Sequence, residues 1–268
     1  FMAIGSYWTL RRLKKRTGFN IVDAHFAYPD GYAASLLGKW LKVPVTITLR
    51  GTEISHSRNP KLRPLLIRAL EEATLVFSVS ESLRQHAISL GIDPGKITVV
   101  GNGVDTNIFS PVLKAKARRQ LGLPERARVL ISVGGLVERK GFHRVIEVLP
   151  SLLKVYPDLI YLIVGGASPE GDWSEHLRNQ VSRLKLDKIV MFLGVMPSDK
   201  LKIPLSAADI FVLATSNEGW ANVFLEAMAC GLPVVTTDVG GNSEVVCEKK
   251  LGAIVPFGDA QKLESALA

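Results

Sequence analysis

An α/β protein with two doubly wound parallel sheets is what this 268-residue sequence predicts, the first of the two being incomplete. Three observations carry that prediction. Short runs of strand-forming residues recur, separated by amphipathic stretches of helical period, which is the pattern of βαβ units. The runs are almost wholly apolar, as strands covered on both faces must be. The alternation is interrupted once, by a polar and basic segment, so residues 1–103 and 127–268 are read as separate domains with 104–126 as their connector.

The chain opens inside a helix, FMAIGSYWTLRRLKKRTGF, in which Ile4, Trp8 and the leucines recur at helical spacing before the basic run RRLKKR. Strands follow at NIVDAHF (20–26), VPVTITL (43–49), ATLVFSVS (73–80) and ITVV (97–100), with helices at about 30–41, 60–72 and 81–90. Beyond the connector come RVLISVGG (128–135), LIYLIVGG (159–166), KIVMFLG (188–194), DIFVLAT (209–215), PVVTTD (233–238) and GAIVP (252–256). The first series has only about four strands, and the chain stops at Ala268 inside an apparent helix. Both ends are therefore expected to lie within a larger protein.

Composition narrows the classes. No apolar run approaches the roughly 18 residues needed to span a bilayer, and no signal-peptide pattern is read at the start. Cys230 and Cys247 are too few for a disulfide framework or a zinc site, which fits a reducing cytoplasm. The net charge of +8 is uneven: residues 1–126 carry +10 and residues 127–268 carry −2. A basic half beside a near-neutral one suits contact of the first half with an anionic surface, such as lipid headgroups or a lipid-linked substrate. Nucleic acid is not the expected partner, because no recognised motif or aromatic platform accompanies the charge. The segment SYWTLRRLKKR suits an interfacial helix at a membrane, or equally an ordinary packing helix with a solvated basic end.

Ligands of open α/β sheets sit beyond the carboxyl ends of strands, so the turns there are the places to look. SVGGLVERKGF runs from a strand through Gly134 and Gly135 to Arg139, Lys140 and a helix start. Glycines that admit backbone N–H groups, a helix terminus and two cations make an anion site of diphosphate size. The other reading is a loop with solvated charges. SNEGWANVFLEAMACG sets Glu218 above a strand and Glu226 about two turns into a helix starting near Trp220. The two backbones are then roughly 12 Å apart, beyond the about 5–9.5 Å of a two-carboxylate clamp on one glycosidic bond. That spacing suits two hydroxyl-bearing ends of one ligand with phosphate between them. Alternatively, Glu218 complements the helix dipole and Glu226 reaches to water. In the first half, His25 and Arg50 each follow a strand, and Asn102-Gly103 reads as a turn that needs positive φ.

EGWANVFLEAMACGLPVV resembles the E-x7-E signature of family 4 glycosyltransferases, retaining enzymes of the GT-B fold with two Rossmann-like domains. GGLVERKGF, HFAYPDGYAA and VVGNGVDTNIFSP resemble that family's other landmarks in the same order, and AYPDG and WANV are most like enzymes of bacterial cell-surface polysaccharide synthesis of the teichuronic-acid type. The resemblance implies transfer of a sugar from a UDP- or GDP-linked donor to a hydroxyl of a sugar or lipid-linked acceptor, with no cofactor, metal or carboxylate nucleophile. Glu218 would hold donor-sugar hydroxyls, with the backbone amides of Gly219, Trp220, Ala221, Asn222 and Val223 around the sugar and diphosphate. Glu226 would accept from the ribose, and Lys140 would neutralise the leaving diphosphate. Gly135 stands where family members often carry Arg, with Arg139 as the compensating cation. His25 matches the second His of a His-x-His pattern whose first position is Asp23, and with Arg50 it would lie on the acceptor side. Base contacts are expected from backbone near Val195-Met196. A GT-B-fold epimerase or phosphorylase, and a non-catalytic nucleotide-sugar-binding fragment, are the alternatives.

Overall fold

The computed structural model describes residues 1–268 and divides them into two compact units, Phe1–Asn102 and Gly103–Ala268. The first unit runs α1 (Met2–Thr17), β1 (Val22–His25), α2 (Tyr32–Leu41), β2 (Val45–Leu49), α3 (Thr52–Arg58), α4 (Arg63–Glu72), β3 (Leu75–Ser78), α5 (Glu81–Ser89) and β4 (Ile97–Val99). Its four strands pair in parallel in sequence order, β1-β2-β3-β4. Ile47, Leu49, Leu66, Leu70, Val76 and Leu83 are buried between the sheet and its helices.

Helix α1 differs from the stripe read in the sequence. Ala3, Tyr7 and Leu10 pack on Ala33, Leu36 and Leu37 of α2, whereas Ile4 and Trp8 stand 70% and 68% exposed. At 100° per residue, positions 3, 7 and 10 share one side of the helix and 4, 8, 11 and 15 another. The small Ala3 lets α1 approach α2, and the larger apolar side chains are left outside.

The second unit contains α6 (Lys114–Gln120), β5 (Arg128–Val133), α7 (Phe142–Val155), β6 (Leu159–Val164), α8 (Ser174–Arg183), β7 (Val190–Gly194), α9 (Ser198–Ala207), β8 (Ile210–Leu213), α10 (Asn222–Ala229), β9 (Val234–Thr237), α11 (Asn242–Val245), β10 (Gly252–Val255) and α12 (Ala260–Leu267). All pairings are parallel and the order is β10-β9-β8-β5-β6-β7. The sequence therefore reverses direction between β5 and β8, which makes this sheet doubly wound.

Alternation along the central strands supplies both faces. Val129, Ile131 and Val133 of β5 join Leu201, Leu205, Phe224 and Ala227 of α9 and α10 in one core. Leu130, with Tyr161 and Ile163 of β6, joins Phe142, Ile146 and Leu149 of α7, Leu177 of α8 and Leu263 of α12 in the other. The polar segment before β5 packs with this unit. Ala117 and Phe109 enter its first core, and the 4% exposed Arg118 donates to Asp209 at 2.7 Å and to the Ala207 carbonyl at 3.0 Å. A buried guanidinium is tolerated there because each of its nitrogens finds an acceptor.

Candidate functional site

In the second unit, the turns after β5 and β8 leave neighbouring strands on either side of the reversal, the place where open α/β sheets take their ligands. The turn after β5 passes Gly134 and Gly135 and a 3-10 turn, Glu138–Lys140, into α7. Gly141 joins the turns: its φ is +74°, and a Cβ there would lie 1.9 Å from the Ala214 carbonyl oxygen, just past β8. Only glycine lets the two backbones come so close. The contact is closed by Ser216 N–H donating to the Arg139 carbonyl at 2.7 Å, with the Thr215 hydroxyl donating to the same oxygen at 3.0 Å.

That junction presents Arg139 and Lys140 to Glu218, whose side chain is 8% exposed. Glu218 Oε1 accepts from Lys140 Nζ at 2.6 Å, Arg139 Nη1 at 3.1 Å and Thr215 Oγ1 at 3.1 Å. No protein donor bonds Oε2. One oxygen of the carboxylate is thus an anchor and the other is left as an acceptor. Arg139 also grips Glu170 with Nε and Nη2, at 2.5 and 2.6 Å. That bond holds the Glu170 carboxyl below the usual carboxylate range and raises the guanidinium above its ordinary value. Two cations face two carboxylates, so the cluster carries no net charge as it stands.

The helix expected near Trp220 begins at Asn222 as α10, with no side chain capping it. Gly219, Trp220 and Ala221 form the loop before it, and Asn222 and Val223 supply its first amides. Trp220 packs partly on the first core, and its buried Nε1 has no acceptor. Glu226 lies one turn into α10, half-buried, and its carboxylate accepts from no protein group. Burial pushes its pKa above the ordinary carboxylate value. The Cys230 thiol one turn further is pushed up to about 11, by burial first and then by the charge of Glu226. Val195, past β7, is 77% exposed, and its Cγ2 would be 2.7 Å from a Cβ on Gly166.

In the first unit a separate polar cluster forms at the carboxyl ends of β1 and β2. Arg50 Nε and Nη2 lie 3.1 and 3.0 Å from His25 Nδ1, and Arg50 Nη1 donates to Asn102 Oδ1 at 3.1 Å. Arginine has no acceptor, so His25 Nδ1 must accept and a neutral ring carries its proton on Nε2. That nitrogen is 3.5 Å from Asp23 Oδ2, while Asp23 Oδ1 accepts from Thr46 at 2.5 Å. Beneath the cluster, the 2% exposed Glu53 accepts from the backbone N–H groups of Ala27, Arg50 and Gly51 at 3.1, 3.2 and 2.7 Å. Asn102-Gly103 is a correction to the sequence reading. Neither residue has positive φ, and the side chain of Asn102 is committed to Arg50 instead.

Sequence reasoning passes over Glu170, Thr215, Thr46 and Glu53. Glu53 left a signal, an acid in the first turn of a helix just after Gly51. Glu170 left none, because its partner Arg139 is 31 residues away.

Residues 114–268 match the family model for glycosyl transferases group 1, and residues 2–108 match that for glycosyltransferase family 4. The D-inositol 3-phosphate glycosyltransferase of Corynebacterium urealyticum is 31% identical over 265 residues, covering 93% of this chain and 62% of that protein. The putative teichuronic acid biosynthesis glycosyltransferase TuaC of Bacillus subtilis is 29% identical over 262 residues, covering 96% of this chain and 63% of its own length. This chain thus spans about three fifths of these relatives. HepE of Anabaena in complex with UDP-glucose superposes with a TM-score of 0.85 at 23% identity, over 97% of this chain and 71% of that one. Sucrose-phosphate synthase from Thermosynechococcus elongatus gives 0.83 at 23% identity, over 96% and 66%. At such identities the likeness is one of fold.

Proposed function

We propose, from the premise that this chain belongs to the family of glycosyl transferases group 1, that its second unit binds a nucleotide-sugar and that the protein transfers the sugar to a hydroxyl acceptor with retention. The single observation that carries this reading is the anchored Glu218, one oxygen held by three donors and the other unpartnered at the switch point of the sheet. A carboxylate in that state accepts from sugar hydroxyls, each charge-assisted bond contributing about 1.5–3 kcal/mol. Glu226, desolvated and without a protein donor, accepts from the ribose at the other end of the ligand. Between them Lys140, the Gly134-Gly135 backbone and the amides of residues 219–223 take the diphosphate, while Arg139 is held against Glu170 and Glu218. The exposed apolar Val195 and the backbone beside it, near Met196, flank the base. HepE, similar in fold, is described with UDP-glucose, and a relative from Mycolicibacterium smegmatis that is 32% identical over 232 residues is named as GDP-mannose-dependent.

In the transfer step the bond between the anomeric carbon and the diphosphate oxygen breaks as the acceptor oxygen attacks the same face, its proton passing to the leaving phosphate. Lys140 and the backbone amides stabilise the charge that grows on the diphosphate. His25 and Arg50 are the groups of the first unit assigned to the acceptor side, with the His25 proton directed by Arg50. No cofactor or metal has a role in this reading.

The acceptor end of the reaction is assigned to the inner face of a membrane, in synthesis of a cell-surface polysaccharide or glycolipid. No helix is long and apolar enough to cross a membrane. Helix α1, however, shows Ile4 and Trp8 beside Arg11, Arg12 and Lys15, and the chain has no acidic residue before Asp23. Such a face gains about 1 kcal/mol per basic residue near anionic lipid. The deciding experiment is calorimetric titration of UDP and of GDP into the chain and into Glu226→Ala. Saturable binding of one nucleotide, lost in the variant, supports the donor site and identifies the base. No binding of either by the folded wild type overturns it.

A further inference from the structure

Arg139 is tied to Glu170 on one side and to Asn217 and Glu218 on the other. Nε and Nη2 donate to Glu170, while Nη1 donates to the Asn217 carbonyl and to Glu218 Oε1, both at 3.1 Å. A planar guanidinium gripped by both oxygens of one carboxylate cannot swivel, so Glu170 sets the direction in which Nη1 points. Glu170 itself is held by a tight turn after β6. Ser168 and Gly171 exchange backbone hydrogen bonds of 2.9 Å, and Glu170 N–H donates to Ser168 Oγ at 3.2 Å. The turn rests on Gly135, where a Cβ would come within 2.9 Å of Ser168 Cβ. Gly135 thus admits the turn, the turn carries Glu170, and Glu170 aligns Arg139.

From this geometry we infer that Glu170 is a positioning residue for Glu218: its bidentate bond fixes Arg139, and Arg139 fixes the carboxylate whose second oxygen meets the donor sugar. The inference rests on the donor-binding reading above. A carboxylate beside a cation has another possible role, to neutralise it, and the two roles differ in what they predict. Removal of a positioning carboxylate weakens recognition of the sugar and leaves the diphosphate untouched. Removal of a neutralising carboxylate frees a cation and tightens the diphosphate.

The test is titration of UDP-glucose and UDP, and of GDP-mannose and GDP, into wild type, Glu170→Gln, Arg139→Gln and the double variant, each first shown to melt cooperatively. The quantity read is the affinity for the sugar nucleotide relative to its own diphosphate, which isolates the sugar. Glu170→Gln is expected to lower that ratio roughly 2- to 5-fold, the upper range of a partly exposed ion pair, with affinity for the diphosphate unchanged. In the Arg139→Gln background the same substitution has no further effect, because its route is already cut. An unchanged ratio overturns the inference, as does a shift of sugar nucleotide and diphosphate together, or a full Glu170→Gln effect without Arg139. Failure of the wild type to bind any of the four ligands overturns the donor-site reading itself, and this inference with it.

Discussion

Replacing Lys140 by Met removes one charge from the centre of the site while keeping the stem that runs beside Gly134. The lysine Nζ is 2.6 Å from Glu218 Oε1, with side chains only 14% and 8% exposed. Removing one partner of a fully buried ion pair costs about 3–5 kcal/mol, because the other charge is stranded. Glu218 is not stranded here, since Arg139 and Thr215 still donate to the same oxygen. The expected loss is therefore about 1–3 kcal/mol, one charge-assisted bond rather than a whole desolvated pair. For a unit of this size each kcal/mol lowers Tm by about 2–4 °C, so the transition should fall by roughly 2–12 °C in scanning calorimetry. The same substitution deprives a diphosphate of its most buried cation, and UDP or GDP affinity should drop about 10- to 100-fold, the equivalent of one charged hydrogen bond. A variant that melts with the wild type and binds equally well would refute both halves of the reasoning. A variant that is destabilised yet binds normally would leave Lys140 a strut for Glu218 and remove it from the diphosphate site.

Three further outcomes are expected. Glu226→Gln should weaken nucleotide binding yet stabilise the fold at neutral pH. The raised pKa of Glu226 means its contribution to stability is present below the ordinary carboxylate pKa and lost as pH rises through the raised value. The stability gain should therefore vanish in acid, and wild-type binding should fall as pH drops through that raised pKa; urea titrations and calorimetry across pH 4–8 check both. Gly141→Ala should cost more than the about 1–2 kcal/mol of a left-handed alanine, because its Cβ meets the Ala214 carbonyl at 1.9 Å. Nucleotide binding should be lost with it as the two turns separate. Glu53→Gln turns an amide N–H₂ toward a set of three backbone donors, and about 2–4 kcal/mol of stability should be lost from the first unit, read by urea unfolding.

Much of this protein is written in local pattern. Strand runs and amphipathic helices are properties of neighbouring residues, so the ten strands and the break between two series of them are legible in the chain itself. So is the placement of Gly134, Lys140 and Glu218 in the turns that follow strands, and of Glu226 in the helix after the second of them, since turn chemistry needs only a few adjacent residues. Helix α10 starts at Asn222, two residues past Trp220, because Ala221 before it keeps an extended backbone. The stripe on α1 was misplaced for a related reason. Helical periodicity identifies which residues share a side, while the partner helix decides which side is buried.

The sequence by itself determined the α/β class, the positions of the turns after the strands and the residue types in them. Only the tertiary structure decided that the sheet order reverses between β5 and β8, which is what brings the turn at 134–141 to the turn at 214–218. It alone decided that Arg139 and Lys140 are already matched by Glu170 and Glu218, and that one oxygen of Glu218 is spent on three donors while the other is open. The physical reason is range. Periodicity and turn chemistry act within a few residues, whereas an ion pair spanning 31 or 78 positions exists only once the sheet has set its strands side by side.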